Sequence, residues 1–430
     1  MASHDGGAVG TLEPEETRAP APSGVEAAGP ARASVMLLRL LRAAQPISRA
    51  ELARRVGVNR STVTDTFKPL IAAGVVREDS VSPAVPGAGR SLGRPPAALS
   101  FRDEHGFFVG INVGVRRTMV GLATLNGEVL AEEDFETHTE AALALAKTRE
   151  VAGRLIRRAA GGRRLRVIGV SVPGPTDAAR QKITYAPHLG WHDVAVADAL
   201  RFDGDGRAAA APEAVVPVVV ENDATAAALY ELRLRLGRAE SRRLDDFVLV
   251  RSGTGLGVGL VLGGEVFRGD ADGEGFAGEF GHMTIVAGGK LCRCGNRGCW
   301  EMYASASAAS ALYMGDRVQL GGQAAPRFVE IVARAEGGEL RAQRTLERVG
   351  EYLGIGIANV ITGLGVTRVI VSGRLVYGWK FLREPLHNAV AQSMAGRLSS
   401  WSVEPGEATG AGLGGALEVA AEGFLTAGLA

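Results

Sequence analysis

Three strands followed by a helix can be predicted twice along this chain, and this repeat restricts the fold more than any other feature. The first set comprises predicted strands over 107–112, 119–125 and 129–135 and a predicted helix over 140–160. A second hairpin is predicted from 247–252 and 257–262, joined by the glycine-containing turn at 253–255. Two such halves in tandem predict an α/β fold with two lobes and a cleft between them.

Polar residues follow directly on a buried strand that is predicted over 215–220. Glu221, Asn222 and Asp223 come next, and an alanine-rich helical pattern continues from them. Because ligands of α/β sheets bind at the carboxyl ends of strands, Asn222 and Asp223 are candidate binding residues. Both residue types also serve as helix N-caps, and that simpler role remains open.

All three cysteines of the chain lie within eight positions, at Cys292, Cys294 and Cys299. An odd number of close cysteines gives no obvious disulfide framework, and in a reducing compartment this spacing favours a metal over three ordinary buried thiols. Zinc takes four ligands in a tetrahedron, and His282 is the natural fourth. We therefore predict a zinc knuckle over 282–301 that holds a structural Zn²⁺, because four protein ligands leave no open position for hydrolysis.

Charge is distributed unevenly along the chain. Residues 33–100 carry ten Lys and Arg against four acids, whereas 1–32 carry two against five. A local basic excess is expected of a nucleic-acid-binding module. The segment 1–32 is rich in Pro, Gly, Ala and Glu and lacks hydrophobic periodicity, so we predict a disordered tail.

No apolar-cored leader is present and the longest uncharged run, 352–367, is shorter than the ~20 residues of a membrane helix. We expect a soluble, cytoplasmic protein with no membrane partner.

A helix-turn-helix motif is predicted within 33–100. Ser48 and Glu51 form a capping box that opens one helix, Gly57 ends it, and another helix begins near Asn59. The start of that last helix would present polar side chains to the major groove of double-stranded DNA. The candidate DNA-binding residues are Arg60, Ser61, Thr62 and Thr64. A plain three-helix bundle is the simpler alternative.

A cationic hairpin tip is predicted at 87–96, immediately after this motif. Its Gly-Arg and Arg-Pro pairs place Arg90 and Arg94 where they can lie along a minor groove. A solvated linker is the simpler interpretation of the same residues. The helix-turn-helix pattern, the basic excess and this wing within one segment favour a winged helix-turn-helix DNA-binding domain over 33–100.

Three groups of residues together resemble the ROK family of repressors and sugar kinases. They are Glu221-Asn222-Asp223-Ala224, Ala277-Gly278-Glu279-Phe280-Gly281-His282, and the cysteine cluster with Gly295, Gly298 and Glu301. The resemblance covers 33–430 and implies that 101–430 form a two-lobed, actin-like ATPase domain (ribonuclease H-like) that holds a hexose between its lobes. The implied sugar-binding residues are Asn222, Asp223, Glu279, His282 and Glu301. His282 would hold zinc through one ring nitrogen and the sugar through the other. Surface charge is the simpler role for the two glutamates.

Kinase activity would require phosphate loops that this chain carries only in part. Family kinases begin their first lobe with Asp-x-Gly-Gly-Thr, whereas this chain has Asn112-Val113-Gly114-Val115-Arg116. A neutral Asn is a poorer partner for Mg²⁺, and side chains stand where glycine lets the backbone approach phosphate. Asp223 occupies the position of the kinase base, which we interpret as vestigial. Related chains usually carry Asn at the His188 position, so the identity of the sugar stays open.

These observations predict a sugar-responsive transcriptional repressor of carbohydrate metabolism genes. Its partners would be double-stranded operator DNA and a monosaccharide effector, with no catalytic residue and no enzymatic activity. Helix-turn-helix proteins commonly bind half-sites about 34 Å apart as symmetric dimers, so we expect a homodimer or a homotetramer. The rival prediction is an ATP-dependent sugar kinase with an appended DNA-binding domain. A third is a DNA-binding protein whose lobes only dimerise.

Overall fold

The amino-terminal module contains three helices and a three-stranded antiparallel sheet. The structure is a computed structural model that describes residues 30–80, 97–207, 215–238, 246–269, 275–315 and 325–427. The elements of the module are α1 (Pro30–Ala44), β1 (Ile47–Ser48), α2 (Arg49–Val56), α3 (Arg60–Ala72), β2 (Val76–Ser80) and β3 (Ala97–Phe101). Its strands are ordered β1-β3-β2. Residues 30–32 of the predicted tail belong to α1, so the prediction of disorder was wrong there; residues 1–29 and the predicted wing tip with Arg90 and Arg94 lie outside the described residues.

The helix-turn-helix predicted from the sequence is formed by α2 and α3. Ser48 caps α2 by accepting a hydrogen bond from the Glu51 amide at 3.2 Å, and Gly57 ends the helix in the left-handed region at φ 78°. Asn59 precedes α3, whose Val63 and Phe67 are fully buried. The apolar spacing of α3 therefore turns one face to the core and leaves the opposite face to solvent.

The first lobe is built on a five-stranded sheet with the order β10-β7-β4-β5-β6. Its elements are β4 (Phe107–Val113), β5 (Arg117–Thr124), β6 (Val129–Glu136), α4 (Ala141–Ala159), β7 (Leu165–Val172), β8 (Ile183–Ala186), β9 (Trp191–Val194), α5 (Val196–Ala199), β10 (Val218–Asn222) and α6 (Asp223–Gly237). The three strands and the helix predicted over 107–160 are confirmed. The strand predicted over 215–220 begins later, at Val218, and continues through Asn222.

The second lobe repeats this strand order. Its elements are β11 (Phe247–Ser252), β12 (Leu256–Leu262), β13 (Glu265–Phe267), α7 (Glu301–Ala304), α8 (Ala306–Met314), α9 (Phe328–Glu336), α10 (Leu340–Leu364), β14 (Arg368–Gly373), α11 (Trp379–Gln392), α12 (Met394–Leu398), β15 (Ser402–Pro405) and α13 (Ala411–Thr426). The sheet order is β13-β12-β11-β14-β15, with antiparallel pairs between the first three strands and parallel pairs beyond. Both lobes thus share one topology, as the tandem pattern predicted. Within the described ranges, no helix combines the length and apolar character needed to cross a membrane.

Two helices connect the lobes. Helix α6 follows the last strand of the first sheet but packs on β11 and β12 of the second, whereas α13 packs on β4 and β7 of the first. Glycines in the strands permit this close approach: a Cβ at Gly259 would lie 2.6 Å from the Ala228 Cβ, and one at Gly169 would overlap the Ala416 carbonyl oxygen. Because α6 and α13 also pack on each other, any change in the angle between the lobes must involve both helices.

Candidate functional site

The four predicted metal ligands lie together at one side of the cleft. One ligand atom from each of His282, Cys292, Cys294 and Cys299 lies within 4.8 Å of the others. The Cys292 Sγ and the His282 Nδ1 are 3.6 Å apart, and the sulfurs of Cys294 and Cys299 are 3.7 Å apart. A tetrahedral zinc with Zn–S near 2.3 Å and Zn–N near 2.1 Å requires separations of about 3.6 Å for N–S pairs and about 3.8 Å for S–S pairs. The donor set therefore fits zinc in its chemistry, and these two separations match those of a tetrahedral site.

The backbone of the knuckle brings the cysteines together through tight turns. The Cys292 amide donates to the Asn296 carbonyl at 2.8 Å, and Gly295 adopts a left-handed conformation at φ 92°. Burial and the neighbouring Cys294 and Cys292 thiols raise the pKa of Cys299 to about 12. Three thiolates do not accumulate at this position without a compensating cation, which is the situation that a bound dication resolves.

His282 connects the knuckle to the cleft. It ends a short 3₁₀ helix, Glu279–His282, that packs against β12. Its Nδ1 faces the Cys292 sulfur, whereas its Nε2 lies 3.8 Å from Glu279 Oε2. The two ring nitrogens therefore face the cysteine cluster on one side and the Glu279 carboxylate on the other. A ligand on one nitrogen fixes the tautomer and orientation of the other.

Asn222 and Asp223 approach the same cleft from the first lobe. The Asn222 Oδ1 accepts hydrogen bonds from the amides of Ala224 at 2.8 Å and Thr225 at 3.2 Å, so its helix-capping role is present. Its Nδ2 donates to Glu279 Oε1 at 3.3 Å. The cap and the contact with the second lobe occur together, because the amide has an acceptor and a donor.

The two glutamates are in different electrostatic states. Desolvation, together with the nearby Asp223 and Glu301 carboxylates, raises the pKa of Glu279 to about 7. Burial alone would raise the pKa of Glu301, but its hydrogen bonds from His188 and from the Leu256 amide outweigh burial and lower it. The surroundings of Glu301 therefore favour its ionised form, whereas those of Glu279 disfavour it.

Two contacts in the cleft have no signal in the sequence pattern. Arg251, at the end of β11, forms an ion pair with Asp223 across the cleft. His188 lies between β8 and β9, and its Nε2 is 3.1 Å from Glu301 Oε1. Each contact joins the first lobe to the second. The sequence marked the His188 position as a departure from related chains but did not indicate its partner, and only the position of Arg251 beside a glycine-rich turn could have drawn attention to that residue.

The two loops that resemble phosphate loops differ in their surroundings. Asn112 is buried, and its Oδ1 accepts a hydrogen bond from the Ser171 hydroxyl at 3.3 Å. In the second loop, a Cβ at Gly255 would overlap Glu301 Oε2 and lie 3.1 Å from His188 Nε2. The sequence pattern explains Gly255 by a tight hairpin turn. The structure adds a second reason for a glycine here, because Glu301 and His188 occupy the space that a side chain would need.

The predicted DNA-reading positions lie at the start of α3. Arg60, Ser61 and Thr64 are exposed, whereas Thr62 is partly buried, contrary to the prediction that it is exposed. The Thr64 hydroxyl donates to the Arg60 carbonyl at 3.0 Å, so its side chain is oriented by the helix itself. Three of the four predicted residues therefore face solvent on one helix face.

The two sheets share one topology, two helices cross between them, and a polar site lies between the lobes. This is the architecture of the actin-like two-lobed proteins, here joined to a winged helix-turn-helix module. The sequence matches the ROK family profile over residues 108–422 and a winged helix-turn-helix DNA-binding profile over residues 34–77. The chain belongs to the ROK family.

Individual relatives include both regulators and kinases. The chain is 30% identical over 368 residues to the xylose repressor of Bacillus subtilis (strain 168), covering 85% of this chain and 86% of that protein. It is similar to the crystal structure of a ROK family transcriptional regulator, a homolog of the E. coli MLC protein, with a TM-score of 0.71 and 26% identity over 93% of this chain and 97% of that one. A ROK family glucokinase from Streptomyces griseus in complex with glucose and AMPPNP gives a TM-score of 0.58 at 25% identity, covering 73% of this chain and 99% of that one.

Proposed function

We propose that this protein is a sugar-responsive transcriptional repressor. A monosaccharide would bind between the lobes, and its binding would change the affinity of the amino-terminal module for operator DNA. The observation that carries the proposal is the joining of the two parts: helices of the DNA-binding module and the interlobe helices share one hydrophobic core. The repressor and regulator similarities support this function.

The polar groups of the cleft suit a sugar. The proposed binding residues are Asn222, Asp223, Glu279, His282 and Glu301. Carboxylates and an amide offer paired acceptors and donors to vicinal hydroxyls, and a desolvated polar site rejects ligands that leave these groups unpaired. A zinc held by His282 and the three cysteines would fix the ring of His282. The imidazole Nε2 would then be directed at a sugar hydroxyl.

The first helix of the DNA-binding module is anchored on both interlobe helices. Arg42 on α1 is buried and forms an ion pair with Glu418 on α13, and Glu418 also contacts Arg233 on α6 at 2.7 Å. Arg55 on α2 donates to the carbonyl of Leu236 in the last turn of α6. Since α6 begins at the cleft and ends at α2, the site and the DNA-binding helices are attached to opposite ends of one helix.

The same module also reaches the second lobe directly. Arg39 on α1 donates to the Gly264 carbonyl at 3.2 Å in the turn between β12 and β13, and Arg32 donates to the Gly263 carbonyl at 2.9 Å. Arg39 also bonds to Glu422 on α13 at 3.0 Å. A sugar that favours one angle between the lobes would therefore favour one position of α1, and this differential preference is what a switch requires.

For DNA, the proposal assigns contact to the exposed face at the start of α3. Arg60, Ser61 and Thr64 would enter the major groove, and the protein would act as a homodimer or homotetramer on a near-palindromic operator. The predicted wing arginines, Arg90 and Arg94, would contact the adjacent minor groove.

The alternative of an active sugar kinase has support from the similarity to a glucokinase. The first phosphate loop, however, carries Asn112, whose amide oxygen is engaged by Ser171. The proposed base position, Asp223, forms an ion pair with the Arg251 guanidinium, which stabilises its ionised form and lowers its basicity. These two contacts favour binding without phosphoryl transfer.

A DNA-binding titration tests the proposal. Zinc-loaded protein is titrated onto fluorescent DNA from its own promoter region at moderate salt, with and without D-xylose, D-glucose or N-acetyl-D-glucosamine. We expect specific binding whose dissociation constant shifts at least fivefold with one of the sugars, and no ATP consumption. Absence of specific DNA binding would contradict the repressor function, and conversion of the sugar and ATP to a sugar phosphate and ADP would favour the kinase.

A further inference from the structure

We propose that Arg49 contacts a DNA phosphate and that Glu78 holds the guanidinium of Arg49 in position for that contact. This inference rests on the proposed function. Arg49 is the first residue of α2, the helix that precedes the DNA-reading helix α3. Its side chain also reaches Thr64 on α3, 15 positions away, and Glu78 on β2, 29 positions away. One side chain therefore connects three elements of the DNA-binding module.

The guanidinium of Arg49 uses one of its two hydrogen-bonding edges for Glu78. Its Nε donates to Oε1 at 3.0 Å and its Nη2 donates to Oε2 at 2.8 Å, which is a bidentate pair. Arginine has five N–H donors in a rigid plane, so three donors on Nη1 and Nη2 remain. Nη1 lies 3.5 Å from the Thr64 hydroxyl oxygen, so this remaining edge lies beside α3. An edge of this kind matches two oxygens of one phosphate group.

The remaining edge of Arg49 lies at the surface that we assign to DNA. Arg60, Thr64 and Lys68 are exposed and spaced by four residues, so they form one stripe along α3. Arg49 lies beside Thr64, the middle member of this stripe. In a helix-turn-helix, the second helix enters the major groove while the first crosses the DNA backbone. Arg49 begins the first of these helices, so we assign it to a phosphate and not to a base edge.

Glu78 occupies a position where an unpaired acid would oppose DNA binding. It pairs in register with Leu99 on β3, which is fully buried, so both side chains leave the sheet on its core side. From there the carboxylate meets α2 at the border of the core, with its side chain 33% exposed. A partly exposed ion pair contributes little to stability, so folding alone is a weak reason for an acid here. Orientation of Arg49 is a stronger one.

Two possible roles of Glu78 predict effects of opposite sign. If its charge acts on DNA directly, removing the charge strengthens binding, because repulsion of the phosphates is lost. If Glu78 acts through Arg49, removing it weakens binding, because a free arginine side chain must then be ordered when DNA binds. Asp79 is the matched control: it is the next residue of the same strand, it is exposed, and it pairs with Arg77 of that strand at 3.0 Å.

Fluorescence anisotropy with promoter DNA tests the inference. Zinc-loaded, sugar-free wild type, Arg49→Met, Arg49→Lys, Glu78→Gln, Asp79→Asn and the double variant Arg49→Met/Glu78→Gln are titrated over a range of salt. Each is measured on the operator and on a scrambled duplex, and thermal unfolding midpoints show that each is folded. We expect Arg49→Met to weaken both duplexes by one common factor of about ten, because a phosphate contact carries no sequence information.

The dependence on salt separates charge from geometry. Arg49→Met should reduce the slope of log affinity against log salt by about one. Arg49→Lys should keep the wild-type slope because the charge remains, yet bind less tightly than wild type because the planar fork is lost. An unchanged affinity and slope in Arg49→Met would overturn the inference. A loss confined to the operator would overturn it as well, because that result indicates a base contact.

The role of Glu78 is tested by the sign of its effect in two backgrounds. Glu78→Gln should weaken operator binding about threefold or more in the wild type, but strengthen it in Arg49→Met, where only its charge can act. Asp79→Asn should not weaken binding. If Glu78→Gln strengthens binding as Asp79→Asn does, Glu78 does not position Arg49 and the inference is wrong. If wild type binds the operator no better than the scrambled duplex, the proposed function itself fails and this inference falls with it.

Discussion

Arg39 is the residue through which α1 contacts both an interlobe helix and the second lobe, and its removal tests whether these contacts carry the signal. The side chain is 11% exposed, bonds to Glu422 on α13, and donates to the Gly264 carbonyl of the second lobe. Arg39→Met keeps the apolar stem but would leave Glu422 without its partner. Truncating one member of a buried pair costs about 3–5 kcal/mol, so Glu422→Gln is introduced with it.

The expected effect follows from the bonds that are lost. A hydrogen bond from a charged donor contributes roughly 1.5–3 kcal/mol, and coupling free energies between two sites are typically about 1–3 kcal/mol. The bond to Gly264 is therefore large enough to carry most of the coupling. We expect the ratio of operator dissociation constants with and without saturating sugar to fall close to one, since a loss of about 1.4 kcal/mol of coupling removes a tenfold effect.

The assay is fluorescence anisotropy of operator DNA, with sugar affinity measured separately by calorimetry. The double variant should bind DNA alone and sugar alone nearly as well as wild type, and only the ratio should change. Arg154→Met is the matched control, because Arg154 forms exposed ion pairs on the first lobe, away from α1. If the double variant keeps the wild-type ratio, the contact of Arg39 with the second lobe does not transmit the signal.

Three further predictions concern the metal, the cleft and the DNA face. Cys294→Ala should lose bound zinc, measured by atomic absorption, and with it sugar binding, while operator binding without sugar persists; retained sugar affinity would contradict the role of the knuckle. Gly255→Ala should reduce sugar affinity at least tenfold because its Cβ overlaps Glu301, whereas Gly253→Ala, which meets no neighbour, should not; equal effects would refute the steric argument. Arg60→Ala should weaken operator binding and reduce the slope of log affinity against log salt by about one if Arg60 contacts a phosphate, and an unchanged slope would exclude that contact.

Local patterns predicted the elements, and the clustering of His282 with the three cysteines, because both depend on residues close in sequence. The period-two strands, the capping residue Ser48 and the cysteine spacing are all read within about 20 positions. The cleft contacts are different. Asp223 meets Arg251 across 28 residues, and His188 meets Glu301 across 113. Neither periodicity nor spacing encodes which long side chain reaches across a cleft, so only the family resemblance indicated part of the site.

The contacts that attach the DNA-binding module to the lobes could not be predicted from the sequence either. The basic residues of such a module are expected to bind DNA. Ten Lys and Arg in 33–100 suggest a DNA-binding surface. Yet Arg39, Arg42 and Arg55 bind the interlobe helices and the second lobe instead. Part of the basic excess is thus used inside the protein, and the count overestimates the charge available to phosphates.

The packing of α6 gives a physical reason why the cleft and the DNA-binding helices cannot move independently. Its first residues continue directly from β10 of the first lobe, but its body lies on Gly257 and Gly259 of the second, with no side chain between backbone and helix. A surface packed this closely does not permit sliding. When the lobes change angle, α6 must therefore move with the second sheet and turn relative to β10. Its far end, about 22 Å away for 15 residues, is held by Arg55, so α2 must follow the motion or that bond must break.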